Sequence, residues 1–319
     1  MTTAREHTIT DDEDGMRLDR MLNKRFSLPN TLCQKSCRKG LIRVDGKRAE
    51  AATRVAKGQV VSLKVTFEPN DAQKPAAKTA KKLTDKQIEE ARHMVLFKDA
   101  EIMVINKPAG LAVQGGSGIT KHLDALMPAL QFDAKEPPRL VHRLDKDTSG
   151  VMLLARTVKA ARELQHLFAQ KALNKTYLAL VVGVPHPLEK TIESHMVKAV
   201  DEETAFEKME SGDKGKKAIT HYKVRDYMVK TAALVELNPI TGRTHQLRVH
   251  MAELNCPIVG DRKYALREEA DHLNIDTKPL HLHAWKLQLP AMFGKKPRTF
   301  EAPLPQVMQR NLQELGLEL

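Results

Sequence analysis

Leu18, Met21, Leu22 and Phe26 recur at helical spacing, so residues 16–26 are predicted to form an amphipathic helix. Thr31 stands where it can cap a second helix carrying Leu32, Cys33 and Cys37, with Arg38 and Lys39 in the last turn and Gly40 as the stop. Ile42 and Val44 followed by Asp45-Gly46 predict a strand and a tight turn, and Val60, Val61, Leu63 and Val65 a further strand. Two short helices and a small sheet therefore account for residues 16–68. Over 69–89 the composition shifts to Lys, Ala, Pro and Thr, the signature of a linker. Beyond it, over 90–319, Ile102–Ile105 and Val151–Ala155 are short apolar runs that fit buried strands. Thr157 caps a predicted helix through Leu164, Phe168 and Leu173, and Tyr177–Val184 and Ala232–Leu237 read as strands. Regular alternation of strand and helix is missing, which predicts an α+β fold with a mainly antiparallel mixed sheet.

Charge sharpens this picture. Lys plus Arg number 52 against 40 Asp plus Glu, a net charge of +12, which points to a polyanionic partner. Lys35, Arg38, Lys39, Arg43, Lys47, Arg48, Arg54 and Lys57 concentrate on the second helix and the hairpin after it, so the small unit is expected to contact RNA. Aromatic residues are only 4%, which argues against a surface built mainly from stacking platforms. The longest apolar stretch, Tyr177–Val184, is far short of a membrane span. The acidic stretch Glu6–Asp14 carries no export leader. Cys33 and Cys37 lie four apart, which suits one helix face and not a metal knuckle; neither disulfide nor zinc is expected, and the reducing cytoplasm is the expected compartment.

Two polar stretches are candidates for chemistry. His142-Arg143-Leu144-Asp145-Lys146-Asp147-Thr148-Ser149-Gly150 precedes the apolar strand at Val151, so its side chains are presented from an anchored loop. In the second, from Thr241 to His250, Thr244 is placed to cap a helix that buries Leu247, Met251 and Leu254, leaving Arg248 free to reach a carboxylate. Gly115-Gly116-Ser117-Gly118 lacks the ending of a phosphate loop, Ser149 is not in a nucleophile elbow, and His281 and His283 have no third partner at metal-ligand spacing. Asp145-Lys146-Asp147-Thr148 matches the DxDxT of haloacid-dehalogenase-type phosphatases, echoed by Gly260-Asp261. However, His142 and Arg143 interrupt the apolar strand that such a motif follows.

HRLDKDTSG at 142–150, NKPAG at 106–110, KTYLALVVG at 175–183, and TGRTHQLRVHM with PIVGDRKY over 241–264 together resemble, in family order, the motifs of the RluA-type pseudouridine synthases. Residues 16–68 resemble the RNA-binding module of ribosomal protein S-four, and the chain is most similar to the RluC type, which modifies 23S ribosomal RNA. The resemblance implies an isomerase without cofactor or metal, acting as a monomer on 23S ribosomal RNA or the assembling large subunit. It makes Asp145 the nucleophile, Arg248 its ion-pair partner, and Tyr177 the residue that packs on the target base and could take part in late proton removal. Ala179 and Val181, on the same strand face, would leave room for the base. Arg143 is then the residue that fills the space left by a flipped uridine. Lys107 either helps shape the pocket or meets backbone phosphate, and is placed among the RNA-binding residues with Lys35, Arg38 and Lys39. The segment from Val200 to Lys217 matches less well. A basic RNA-binding assembly factor that keeps the scaffold without turnover is the alternative outside enzymology.

Overall fold

The structure is a computed structural model that describes residues 5–64, 83–115, 121–200, 207–212, 215–265 and 267–319, and the chain divides after Lys82 into two units. In the first unit β1 (Arg5–Thr8), α1 (Leu18–Phe26), α2 (Asn30–Arg38), β2 (Ile42–Val44), β3 (Lys47–Arg48) and β4 (Val60–Leu63) follow in order, and the strands pair in the order β1-β4-β2-β3. Asp45 and Gly46 both have positive φ, 49° and 73°, the turn that joins β2 to β3 without splaying them. Leu18, Met21, Leu22, Cys33 and Cys37 bury one face of the helix pair against Ile42, Val44, Val61 and Leu63. The other face of α2 leaves Lys35, Arg38 and Lys39 exposed. The helix starts two residues earlier than expected, with Pro29 at the N-cap, so Thr31 lies inside the first turn.

Most of the expected linker lies outside the described residues, but its end does not. Thr84 accepts from the Gln87 backbone N–H while the Gln87 side chain returns to the Thr84 backbone, a capping box that opens α3 (Asp85–His93). Residues 85–89 are thus helix, not linker, because this reciprocal cap and the burial of Ala91 outweigh the polar composition.

The second unit continues with β5 (Val95–Lys98), β6 (Ile102–Lys107), α4 (Leu123–Leu126), β7 (Arg139–Leu140), β8 (Ser149–Ala155), α5 (Val158–Ala169), β9 (Asn174–Val182) and β10 (Glu189–Val200). After these come β11 (Glu207–Ser211), β12 (Lys216–Met228), β13 (Ala232–Pro239), α6 (Gln246–Glu253), β14 (Leu282–Leu289), β15 (Arg298–Glu301) and α7 (Gln306–Glu314). The sheet runs β11-β10-β12-β13-β9-β14-β8-β6-β5, with β15 beside β14 and β7 beside β8. Among the described strands only β8 and β14 pair in parallel, through His283 opposite Ser149 and Ala284 opposite Gly150. The α+β class with a mainly antiparallel sheet is what the pattern predicts.

Both faces of the central strands β6, β8, β9 and β13 are covered, which explains their continuous apolar runs. On β6 and β8, Met103, Ile105, Met152 and Leu154 pack with α3 and α4, while Val104, Val151 and Leu153 pack on Ala160 and Leu164 of α5. On β9 and β13, Ala179, Val181, Val235 and Leu237 meet Leu247 and Met251 of α6, and Leu178, Leu180 and Leu234 meet Met308 and Leu312 of α7. Ala179 and Val181 are therefore closed into this core and offer no space for a ligand ring.

Candidate active site

The loop 142–149 is anchored at nearly every second residue. The His142 ring stacks on Phe168 with centroids 4.4 Å apart, and its Nε2 accepts the Leu153 backbone N–H at 2.9 Å. Burial, then the nearby Lys175 charge, push this imidazole down to about 3, so it is neutral. Leu144 sits in the core beside Met103 and Met152. The Thr148 N–H donates to the Asp145 carbonyl at 3.2 Å, closing a turn over residues 145–148. The Ser149 hydroxyl donates to His283 Nδ1 at 2.8 Å, and His283 Nε2 donates to the Ala302 carbonyl at 3.2 Å. What the loop leaves outside the packing is the exposed Arg143, the half-buried Asp145, and the exposed Lys146 and Asp147.

Lys107 completes the anchoring and corrects an expectation. Its side chain is fully buried, and Nζ donates to the carbonyls of Pro108, Leu111 and Lys146 at 2.8, 2.9 and 3.0 Å. An ammonium has three donors, and all three are used on the protein's own backbone, so none reaches RNA. Lys107 instead ties the 106–111 loop to the loop of Asp145. Burial lowers its pKa to about 8, against the pull of Asp147 and Asp145.

Asp145 opens into a cleft of about 250 Å³ lined by Arg143, Lys175, Tyr177, Arg243, His245 and Arg248, among others. The structure thus brings together Asp145, Tyr177, Arg248 and Arg143, whose motifs are far apart in the chain. Tyr177 is half-buried and packs against two core clusters. Burial, and next the Asp145 carboxylate, push its phenol well above the usual tyrosine range. The phenol is held in its protonated form, and Tyr177 lines the cleft beside Asp145.

Arg248 has a different direct partner from the one expected. Its Nε and Nη2 donate to Asp261 Oδ2 and Oδ1 at 2.7 and 2.6 Å, a bidentate pair buried on both sides. Asp261 also accepts the backbone N–H of Lys263 and Tyr264. Burial opposes the Arg248 charge, but the hydrogen bonds to Asp261, then the charges of Asp261 and Asp145, raise its pKa above the ordinary arginine value. Arg248 acts on Asp145 through space, while Asp261 fixes where it stands. Asp261, read from sequence only as an echo of a phosphatase motif, is occupied in this way.

The start of α6 also departs from expectation. The N-cap is His245, in a left-handed conformation (φ 55°, ψ 16°), and Thr244 lies one residue too early. Gln246 organises the turn: its carbonyl oxygen accepts from the Thr241 hydroxyl and the Arg243 N–H, and its amide donates to the Ile219 carbonyl and Thr220. The strained backbone turns His245 toward Asp145, with Nε2 3.9 Å from Oδ2. The Tyr264 hydroxyl accepts the Met209 N–H at 3.1 Å and is hydrogen-bonded to His245 Nδ1 at 2.8 Å. Burial, then Arg248, push the His245 pKa down against the pull of Asp145. His245, Gln246 and Tyr264 lay inside quoted motifs, yet no role was read for them, because their partners are on β11, β12 and the 261–264 turn.

His281 and His283 are buried, each bonded to a backbone carbonyl. Among the described residues no three His, Cys, Asp or Glu side chains converge as a metal site, and no helix is long and apolar enough to cross a membrane.

Residues 101–253 match the family model described as RNA pseudouridylate synthase. The chain is 35% identical over 299 residues to the ribosomal large subunit pseudouridine synthase C of Rickettsia bellii (strain RML369-C), covering 92% of this chain and 96% of that protein. It is 38% identical over 291 residues to the mitochondrial RNA pseudouridine synthase 4 of Arabidopsis thaliana, covering 80% of this chain but only 61% of that longer protein. The solved structure of human RNA pseudouridylate synthase domain containing 4 superimposes with a TM-score of 0.61 at 32% identity, over 73% of this chain and 98% of its own. Fold and sequence agree: the chain belongs to the RNA pseudouridylate synthase family and is an isomerase of RNA uridines.

Proposed function

We propose that this synthase isomerises uridines of 23S large-subunit ribosomal RNA, with Asp145 as its nucleophile and the target base flipped into the cleft. The choice of RNA is supported by the similarity, over nearly the whole chain, to a protein named for the ribosomal large subunit. The reaction breaks the bond from C1′ to N1, turns the base, and forms the bond from C1′ to C5. C5 gives up its proton and N1 gains one, so there is no net redox change. The chemistry therefore needs a positioned nucleophile and little else.

The observation that carries this reading is the contrast within one loop. Asp145 is the acidic side chain lining the cleft, and its backbone is held by Lys107, Thr148, Leu144 and the Ser149–His283 bond. Such anchoring presents a nucleophile in one geometry. The Arg248 guanidinium lines the same cleft as Asp145, and the Tyr177 ring gives the base a surface to pack on. Arg143 has no hydrogen-bond or ion-pair partner among the described residues, which leaves it free to enter the stack a uridine vacates at a cost of a few kcal/mol. The exposed Lys35, Arg38 and Lys39 add phosphate contacts.

Tritium release from a 23S transcript carrying 5-tritiated uridine tests the proposal. Wild type releases tritium; Asp145→Asn binds the RNA with similar affinity and releases none. Turnover by Asp145→Asn, or loss of its RNA binding, overturns the assignment of Asp145. Silence of the wild type on both the transcript and assembling large-subunit particles overturns the substrate.

A further inference from the structure

We infer that Lys175 is the site in the cleft that receives a phosphodiester flanking the flipped uridine. The inference rests on the reading above, in that a nucleotide must enter the cleft, and it assigns a residue that motif reading passed over.

Lys175 stands two residues before Tyr177 on β9, about 7 Å along the strand. Both line the cleft with Asp145. Its other cations are already engaged or lie at its mouth. Arg248 is held by Asp261, Arg243 donates Nε to the Lys217 carbonyl at 3.0 Å, and Arg143 is exposed. Lys175 is different: it is half-buried, yet among the described residues it has neither a hydrogen bond nor an ion pair.

Its neighbours offer no compensation. His142 is neutral and has its Nε2 occupied by a backbone N–H, and the charge of Lys171 repels. Burial, then Lys171, lower the Lys175 pKa, the response of an ammonium held without a counter-ion. Withdrawing a cation from water without a partner is unfavourable, and an anion arriving with the ligand reverses that. The uracil ring is neutral. The anionic groups of a nucleotide within RNA are its phosphodiesters, one on each side of the sugar. A strand that packs the base on Tyr177 and has a cation about 7 Å away matches a nucleotide whose phosphate lies beside its base.

The test uses the full chain. Lys175→Met is expected to raise KM for the 23S transcript about tenfold, with kcat within about threefold of wild type. In the Asp145→Asn background, which removes turnover, it lowers the slope of log affinity against log salt by about 0.7, the share of one phosphate on a single strand. Lys175→Arg restores that slope, which a loss of folding would not allow. Once the modified uridine is mapped from the tritium assay, a methylphosphonate on one side of it weakens wild type as much as Lys175→Met does and adds nothing to that variant. A fall in kcat with KM and salt slope unchanged overturns the proposal and places Lys175 on the reacting base. An unchanged variant overturns it outright. The salt slope reads the phosphate contact even if the wild type releases no tritium, so the two readings fail separately.

Discussion

On α2 of the small unit, Lys35, Arg38 and Lys39 are exposed and point away from the core, while in the large unit Lys107 and Arg248 are buried and bonded to protein oxygens. Sequence groups Lys107 with the three as RNA-binding and sets Arg248 apart as the ion-pair partner of Asp145. In the structure they do opposite work. The first three are exposed to solvent and, on the function proposed, offer a surface to phosphate. The other two hold a loop and a helix in register around Asp145, and their charge reaches the substrate indirectly if at all. A cation's role is set by how many of its donors are already used. Lys107 has none left, Arg248 has two committed to Asp261, and no partner is found for the three on α2 among the described residues.

Removing a buried cation should hurt most. Arg248→Ala leaves the Asp261 carboxylate buried without its guanidinium, and a loss of about 3–5 kcal/mol in urea unfolding is expected, together with loss of tritium release. Near-wild-type stability would mean that water replaces the guanidinium and would sink the positioning role. Lysine is not expected to rescue it, because one ammonium cannot make the bidentate pair.

The buried histidines give an intermediate effect that depends on pH. Burial pushes His283 down to about 4 from an ordinary value of 6.5, and the Ala302 carbonyl pulls the other way. Between these values the unfolded chain binds a proton that the folded chain does not. Stability is therefore complete above pH 6.5 and falls as pH drops toward 4, at up to about 1.4 kcal/mol per pH unit for this group. His250, pushed by burial to about 4, adds to the slope. Unfolding midpoints from pH 7 to 4 check this, and His283→Gln should flatten the curve by one proton. A curve left unchanged by that substitution would show that His283 takes up its proton alike in the folded and unfolded chain.

The smallest effect on stability belongs to the exposed set. Replacing Lys35, Arg38 and Lys39 together by Gln should change unfolding by no more than about 0.5 kcal/mol. The same protein should lose RNA affinity, with a salt slope lower by as much as about 2. An unchanged slope would remove the α2 face from the RNA contact and leave the comparison resting on the cleft alone.

Much of this was legible in the sequence where local chemistry decides. The runs at Ile102–Ile105 and Val151–Ala155 are strands because both faces are covered, Thr157 caps α5 by accepting the Ala160 N–H, and Asp45-Gly46 forms the turn its residues demand. Motif order also placed Asp145, Tyr177, Arg143 and Arg248 on one cleft. Contacts that close over distance were not legible. Asp261 follows Arg248 by 13 residues and takes the partner's place that was expected for Asp145. The left-handed His245 replaces Thr244 as the cap because Gln246 is drawn to β12, a strand with no local mark on the motif. Lys107 reads as an RNA-binding lysine until the loop of Lys146 folds over it.

Gly150 has φ of +113°, and a Cβ there would overlap the Ala284 carbonyl. This is also where β8 and β14 join the two halves of the sheet through a two-residue parallel register, five residues after Asp145. A library randomised across positions 141–150 and selected for folding should return glycine alone at 150, while accepting wide variety at the exposed positions 143, 146 and 147. For anyone redesigning what this cleft accepts, the joint in the sheet is fixed and the freedom lies on the outward side of the same loop.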